Sequence, residues 1–362
     1  MNLNTKERTV YLAEKLAGEG DLSDGELLEL IRDRNGASAE RLRQLAGEVR
    51  DRVYGRKIYI RGLIEFTNYC RNNCYYCGIR RENEHAQRYR LSEEEILECC
   101  REGYGLGFRT FVLQGGEDPW YSQDRLEHLV RAIRREFPDC AITLSVGERS
   151  RESYEALFAA GADRYLLRHE TAVKSHYEML HPREMSFDHR MQCLRDLKDI
   201  GYQTGCGMMV QSPGQTLEDL VADLRFMKEF RPHMIGIGPF LSHKDTPFRD
   251  KKSGTAELTV YLLSIIRLML PQVLLPATTA LGTAEEGGRK LGVLAGANVV
   301  MPNLSPAGVR KKYMLYDNKL SGGSEAAEHL DLLKKEMGSI GFAVAVDRGD
   351  SLMDSGEDDK EE

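Results

Sequence analysis

Three cysteines, Cys70, Cys74 and Cys77, stand close together in TNYCRNNCYYCGIR. Thiolates are soft ligands that suit zinc and iron–sulfur clusters alike. Structural zinc normally takes four protein ligands, and only three are near here, so a zinc knuckle would need a remote cysteine or histidine. A cuboidal 4Fe–4S cluster held by three thiolates instead keeps one iron open to a chelating ligand from outside the protein. The spacing alone leaves both readings standing.

Other polar residues fall where they could meet that centre. In RYLLRHE, Arg168 and Glu170 are two apart, so a strand there would point both to one face, and buried charges at a strand end are costly unless paired or used on a ligand. An internal Arg168–Glu170 salt bridge is the plainer alternative. Arg190 opens the next helical pattern and could reach a carboxylate. Gly205, Gly207, Gly236 and Gly238 alternate along two runs and would remove bulk from one face of each. Thr278 and Thr279, then Met301, Pro302 and Asn303, end two further runs with hydroxyl, thioether and amide groups.

The elements that must position these residues follow a repeating order. Short β-rich runs at 58–67, 109–117, 141–148, 164–170, 204–210, 234–240, 273–280 and 298–303 alternate with amphipathic segments such as Ser92 to Gly103 and Leu217 to Phe230. Ser92 with Glu95 reads as a capping box. Eight such units predict an α/β fold, a complete (β/α)8 TIM barrel, and the cysteines then follow its first strand at the C-terminal mouth where barrels carry chemistry. Residues 1–55 read as an N-terminal helical segment with a Ser23 cap, 56–320 as the barrel, 321–350 as a C-terminal extension of one helix and one strand, and 351–362 as a disordered acidic tail.

The 362 residues carry a formal net charge of -7 with basic residues scattered, which gives no footprint for nucleic acid or an anionic membrane and favours a small-molecule partner. The N-terminus lacks a signal-type apolar stretch, and the most hydrophobic region, Leu258 to Pro276, is interrupted by Arg267, Pro271 and Gln272, so a cytoplasmic protein is expected. Cys99, Cys100, Cys140, Cys193 and Cys206 are spread through apparent helices and strands, and a disulfide scaffold is not expected.

The Cx3Cx2C spacing after a first barrel strand resembles that of the radical S-adenosylmethionine (SAM) superfamily. That resemblance implies one 4Fe–4S cluster on Cys70, Cys74 and Cys77, Tyr76 against the adenine of SAM, and the glycine-rich QGGED, with Gly115, Gly116 and Glu117, beside its methionine end. Longer phrases, among them NYCRNNCYYCGIRRENEHAQRYRL, GADRYLLRHET, GIGPFLSHKDTPF, LPATTALGT and GANVVMPNLSP, closely resemble the HydE family of FeFe-hydrogenase maturases. By that match Glu170 and Arg190 would contact SAM, while Arg168, Thr278, Thr279, Met301, Tyr313 and Tyr316 would line or approach a substrate cavity. The implied reaction is attack by a 5′-deoxyadenosyl radical on a cysteine-bound iron carbonyl cyanide precursor, in concert with other hydrogenase maturases. Some relatives carry a further cluster on cysteines after the LY segment. Here Ser321 stands where the first would fall and no cysteine follows Cys206, so a single cluster is expected. Methylornithine synthase or biotin synthase chemistry on a small amino-acid-like substrate, and a non-catalytic Fe–S scaffold, are the alternatives.

Overall fold

The computed structural model describes residues 4–353; residues 354–362, which make up most of the stretch read as an acidic tail, lie outside them. Three helices open the described chain, Thr5–Glu19, Asp24–Arg32 and Gly36–Tyr54. Each begins on a capping box, at Asn4, Ser23 and Asn35, so the first-turn amides of each helix find side-chain acceptors. Their buried faces follow the helical period, with Leu12 and Leu16, Leu27 and Leu30, and Leu42 and Ala46. Gly36–Tyr54 lies against the apolar helix Ala256–Met269, and Arg225 ties Leu217–Phe230 to Asp24 at the start of Asp24–Arg32 at 2.5 Å and to Asp21 just before it at 2.6 Å.

The strands are β1 (Lys57–Ile60), β2 (Gly62–Thr67), β3 (Thr110–Gly115), β4 (Ala141–Ser145), β5 (Arg164–Leu166), β6 (Gln203–Cys206), β7 (Met209–Val210), β8 (Met234–Ile235), β9 (Gly238–Pro239), β10 (Val299–Val300) and β11 (Ala343–Ala345). A six-stranded parallel sheet runs β2-β3-β4-β5-β6-β8, a parallel pair joins β7 to β9, and a third sheet runs β10-β1-β11. Single parallel bridges continue the order from Met234 to Leu274, from Pro276 to Val299 and from Asn303 to Leu63. The register places Glu65 opposite Gln114 and Gln114 opposite Ser145, so these side chains share one level of the sheet. This is the α/β fold with a parallel sheet expected from the alternation of runs and helices.

The runs differ in detail. The expected strand at 58–67 is split at Arg61, whose two sides pair with different sheets. The run at 164–170 ends as a strand at Leu166, and Glu170 takes a left-handed backbone with φ 66°. Gly207 breaks the run at 204–210, because a side chain there would overlap the backbone of Gly236. The run at 273–280 forms only the bridges at Leu274 and Pro276 before a helix, Thr279–Ala284, begins.

At the other end of the sheet, the segment after β11 packs under the strands. Arg164, fully buried, donates to the Arg348 carbonyl at 2.9 Å and to Asp350 at 2.6 Å. Thr110 donates to the same carbonyl at 2.7 Å, and Gln203 donates to Asp350 at 3.1 Å. Ser351, read as part of the tail, is buried here. Burial works to raise the Asp350 pKa, but Arg164 and Arg348 outweigh it and hold the carboxyl at about 2. An unfolded aspartate titrates near 3.9, so this carboxylate stabilises the fold above that pH, and the contribution is lost as pH falls through about 2. Asp350→Asn is therefore expected to lower the urea midpoint at pH 6, with the deficit shrinking as pH is taken from about 4 towards 2. A deficit independent of pH would contradict it.

Candidate functional site

The loop after β2 carries the cysteines, and neighbouring backbone holds it from several sides. The Arg71 amide donates to the Glu117 carbonyl at 2.9 Å, the Tyr75 amide to Leu180 at 3.0 Å, and the Gly78 amide to Leu315 at 2.8 Å. Thr67, the last residue of β2, donates to Asp118 at 2.8 Å, and Arg90 clamps the same carboxylate at 2.6 Å. Gly116 lies directly against the loop: a Cβ there would sit 2.7 Å from the Cys70 Cβ and would overlap the Tyr69 carbonyl. Its role in this packing is close approach.

Cys70, Cys74 and Cys77 open onto one cavity of about 300 Å³. Tyr76, Gly115, Gly116, Glu117, Arg168, Glu170, Arg190, Thr278, Tyr313 and Tyr316 line it as well. Two expected residues do not. Thr279 begins a helix and turns its hydroxyl to Glu325 at 2.9 Å, and Met301 packs with the group of Met234, Leu274 and Val299. Of the four glycines expected to open space, Gly238 borders the cavity; Gly205 packs against Leu166 and Met234, and Gly207 against Gly236.

Arg168 and Glu170 lie beyond the end of β5, yet they share a side. The intervening His169 turns the other way, accepting from the Gly207 amide at 3.2 Å and lying 3.4 Å from Asp223. Arg168 Nη2 stands 3.0 Å from Glu170 Oε2, an ion pair without hydrogen-bond alignment, and both atoms are buried with no hydrogen-bond partner. Unsatisfied charged atoms facing a cavity are costly unless a ligand completes them. Arg190 is buried, paired to Glu148, and donates from Nη1 to the Arg168 carbonyl at 2.7 Å, which ties the two arginines together. Burial works to lower its pKa, and Tyr177 and Glu148 more than offset this, so it remains a cation.

The thiols show what they lack. Burial, then the neighbouring Cys70, pushes the Cys77 thiol up to about 12, and burial with the other two thiols raises Cys74 well above the ordinary range. Three half-buried thiolates packed together need a cationic partner to be held there. Among the described residues no three His, Cys, Asp or Glu side chains converge where a single metal ion could sit, as a zinc knuckle would require. A cuboidal cluster spreads its thiolates over separate irons and does not require that convergence. The all-sulfur donor set and the unsatisfied Arg168 and Glu170 atoms therefore fit a 4Fe–4S cluster with a charged, chelating ligand beside it.

Several residues in the lining (Met185, Leu315) or directly behind it (His181 behind Tyr76, Glu148 behind Arg190) were not singled out from the sequence. Met185 places its sulfur 3.6 Å from that of Cys74, and Leu315 borders the cavity from a segment without regular structure. His181 accepts or donates across 3.2 Å to the Tyr76 hydroxyl, and burial, then Arg190, pushes its pKa down to about 3, so it is neutral. Glu148 had a signal, an acidic residue at the end of the run at 141–148; Met185 and His181 had none, because they arrive on a loop whose path only the fold sets.

A sequence model of the Radical SAM superfamily matches residues 64–227. The FeFe hydrogenase maturase subunit HydE of Thermotoga maritima is 48% identical over 281 residues, which span 78% of this chain and 80% of that protein. The 3-methylornithine synthase of Methanosarcina barkeri is 33% identical over 314 residues, 85% of this chain and 87% of the relative. The crystal structure of methylornithine synthase (PylB) superimposes with a TM-score of 0.81 at 29% identity, covering 92% of this chain and 97% of that one.

Proposed function

The chain belongs to the radical SAM superfamily and, within it, to the family of the HydE maturases, and from that premise we propose that it acts on a cysteine-bound iron carbonyl cyanide precursor of the FeFe-hydrogenase diiron subsite. A 4Fe–4S cluster with one iron open to the methionine end of SAM supplies, when bound, the electron that splits the sulfonium into methionine and a 5′-deoxyadenosyl radical. In this reading Cys70, Cys74 and Cys77 hold that cluster, and Glu170 and Arg190 bind the charged groups of SAM. Gly115 and Gly116 let the backbone approach it, Glu117 lies at its methionine end and Tyr76 flanks its adenine. Arg168, Thr278, Tyr313 and Tyr316 bind and orient the substrate and exclude water from it. Other hydrogenase maturases are its partners, the cytoplasm is its compartment, and an eight-unit barrel surrounds the chamber, a closure that the bridges at Leu274, Pro276 and Asn303 support.

The observation that carries the reading is the shared cavity, with the three sulfurs on one side and Arg168, Thr278 and the two tyrosines also facing it. No described helix is long and apolar enough to cross a membrane. An anaerobic assay of the reconstituted enzyme with the cysteine-bound iron carbonyl cyanide complex and SAM tests it. Consumption of the complex together with 5′-deoxyadenosine formation is expected, from protein holding about four irons per chain. Conversion of an amino acid with no change in the complex would overturn the substrate; about six irons per chain or more would overturn the single cluster.

A further inference from the structure

Residues 311–322 lie between the helix Ala307–Arg310 and the turn at Gly323–Glu325 and form no regular element. They cross the mouth of the sheet as a strap. The Lys312 carbonyl accepts from Asn68 at 2.8 Å, the Leu315 carbonyl from the Gly78 amide at 2.8 Å, and the Asp317 amide donates to Ser242 at 3.0 Å. The strap therefore touches the cysteine loop at one end and the chain after β9 at the other. Its inner side supplies Tyr313, Leu315 and Tyr316 to the cavity.

One side chain of the strap goes deeper. Lys319 places its ammonium 2.5 Å from a carboxylate oxygen of Glu65, with the lysine side chain 6% exposed and the glutamate 0%. Glu65 sits on β2 at the level of Gln114 and Ser145, both of which line the cavity. Its other carboxylate oxygen accepts from Asn303 at 2.8 Å, and the Lys319 ammonium stands 5.2 Å from the centre of the Tyr313 ring. Both charges are thus buried beside the chamber and behind its tyrosines.

A buried ion pair is a weak source of net stability, since desolvation offsets much of the attraction. What it supplies is a fixed geometry, because either charge left alone in that setting is strongly disfavoured. From this we infer that the Glu65–Lys319 pair is a latch that holds the strap down and sets the position of Tyr313 and Tyr316 over the substrate. It is a positioning device for the proposed reaction, and the inference rests on that reading only for what occupies the chamber. In that reading Glu170 and Arg190 bind SAM, and neither touches the latch, so the latch governs the fate of the radical more than its formation.

The experiment compares reconstituted parent, Glu65→Leu/Lys319→Met and Lys319→Arg. The double variant removes both charges, so no unpaired charge is buried and the fold is retained. Amide hydrogen exchange across 311–322 is expected to quicken about tenfold or more in the double variant and to return towards the parent in Lys319→Arg. With the iron carbonyl cyanide complex present, 5′-deoxyadenosine should still form at near the parent rate while consumption of the complex per radical falls severalfold. Unchanged exchange over 311–322, or exchange that rises equally throughout the protein, would overturn the latch. A parent enzyme that cleaves SAM without consuming the complex would refute the substrate instead, and the exchange result would still decide the latch.

Discussion

Cys74→Ala, reconstituted anaerobically beside the parent, is expected to release no 5′-deoxyadenosine above background, a fall of well over about 100-fold. Loss of a group that merely supports a metal ligand costs roughly 10- to 100-fold, and this change removes a ligand itself. The geometry makes replacement by another donor difficult. Cys74 is half-buried at the cavity wall, its sulfur touches Met185, and no described histidine or acidic residue stands in a metal-holding group with the remaining two thiols. Alanine also leaves Cys70 and Cys77 as half-buried thiols with pKa values pushed up by desolvation, poorly suited to ionise without a cluster. Iron content, the visible absorption of the cluster and 5′-deoxyadenosine should fall together. SAM cleavage retained in this variant would refute the role given to the triad.

Arg190→Met should damage both the fold and SAM binding. The arginine and Glu148 side chains are 8% and 10% exposed, so the variant leaves a carboxylate buried without its cation. Breaking such a pair from one side costs roughly 3–5 kcal/mol. It also strips the Arg168 carbonyl of its donor, loosening the turn that presents Arg168 and Glu170. The urea midpoint should drop accordingly, and SAM affinity, titrated on reconstituted protein, should weaken by about tenfold or more, as befits the loss of a charge-assisted contact. Arg190→Met/Glu148→Leu separates the two effects: stability should recover, because no lone charge remains, while affinity should not. Recovery of both would assign Arg190 a structural role only.

The cysteine triad and the βα order were legible because each is local: ligand spacing is written in eight consecutive residues, and the alternation of runs and helices repeats along the chain. Arg168 and Glu170 were found by strand alternation, although the strand ends before them. Both still face the cavity, with Glu170 on a left-handed φ of 66°. Thr278 and Thr279 are alike in sequence, but only the first lines the cavity, since a helix starts at the second and swings its hydroxyl towards Glu325. Met301, expected at the mouth both from its place at the end of a run and from the resemblance, lies in the apolar group beside Met234. Lys319 had no signal at all, being a lysine in a loop whose burial depends on Glu65, far away in sequence.

The segment after β11 bears on how the molecule is made. β1 takes β11 as a parallel neighbour, and Thr110, Arg164 and Gln203 find their acceptors on Arg348 and Asp350. A ribosome therefore finishes every residue of the cavity before it makes the residues that seal the far end of its scaffold. Pairing across so long a stretch of chain is slow, although the entropic cost of loop closure grows only with the logarithm of its length. Until then Arg164 keeps Thr110 and Gln203 but lacks the Arg348 carbonyl and its counter-charge Asp350, and β1 has an open edge, the kind of surface that chaperones and proteases recognise. A premature stop just ahead of Ala343 would spare all the chemistry and still leave a cell without the enzyme.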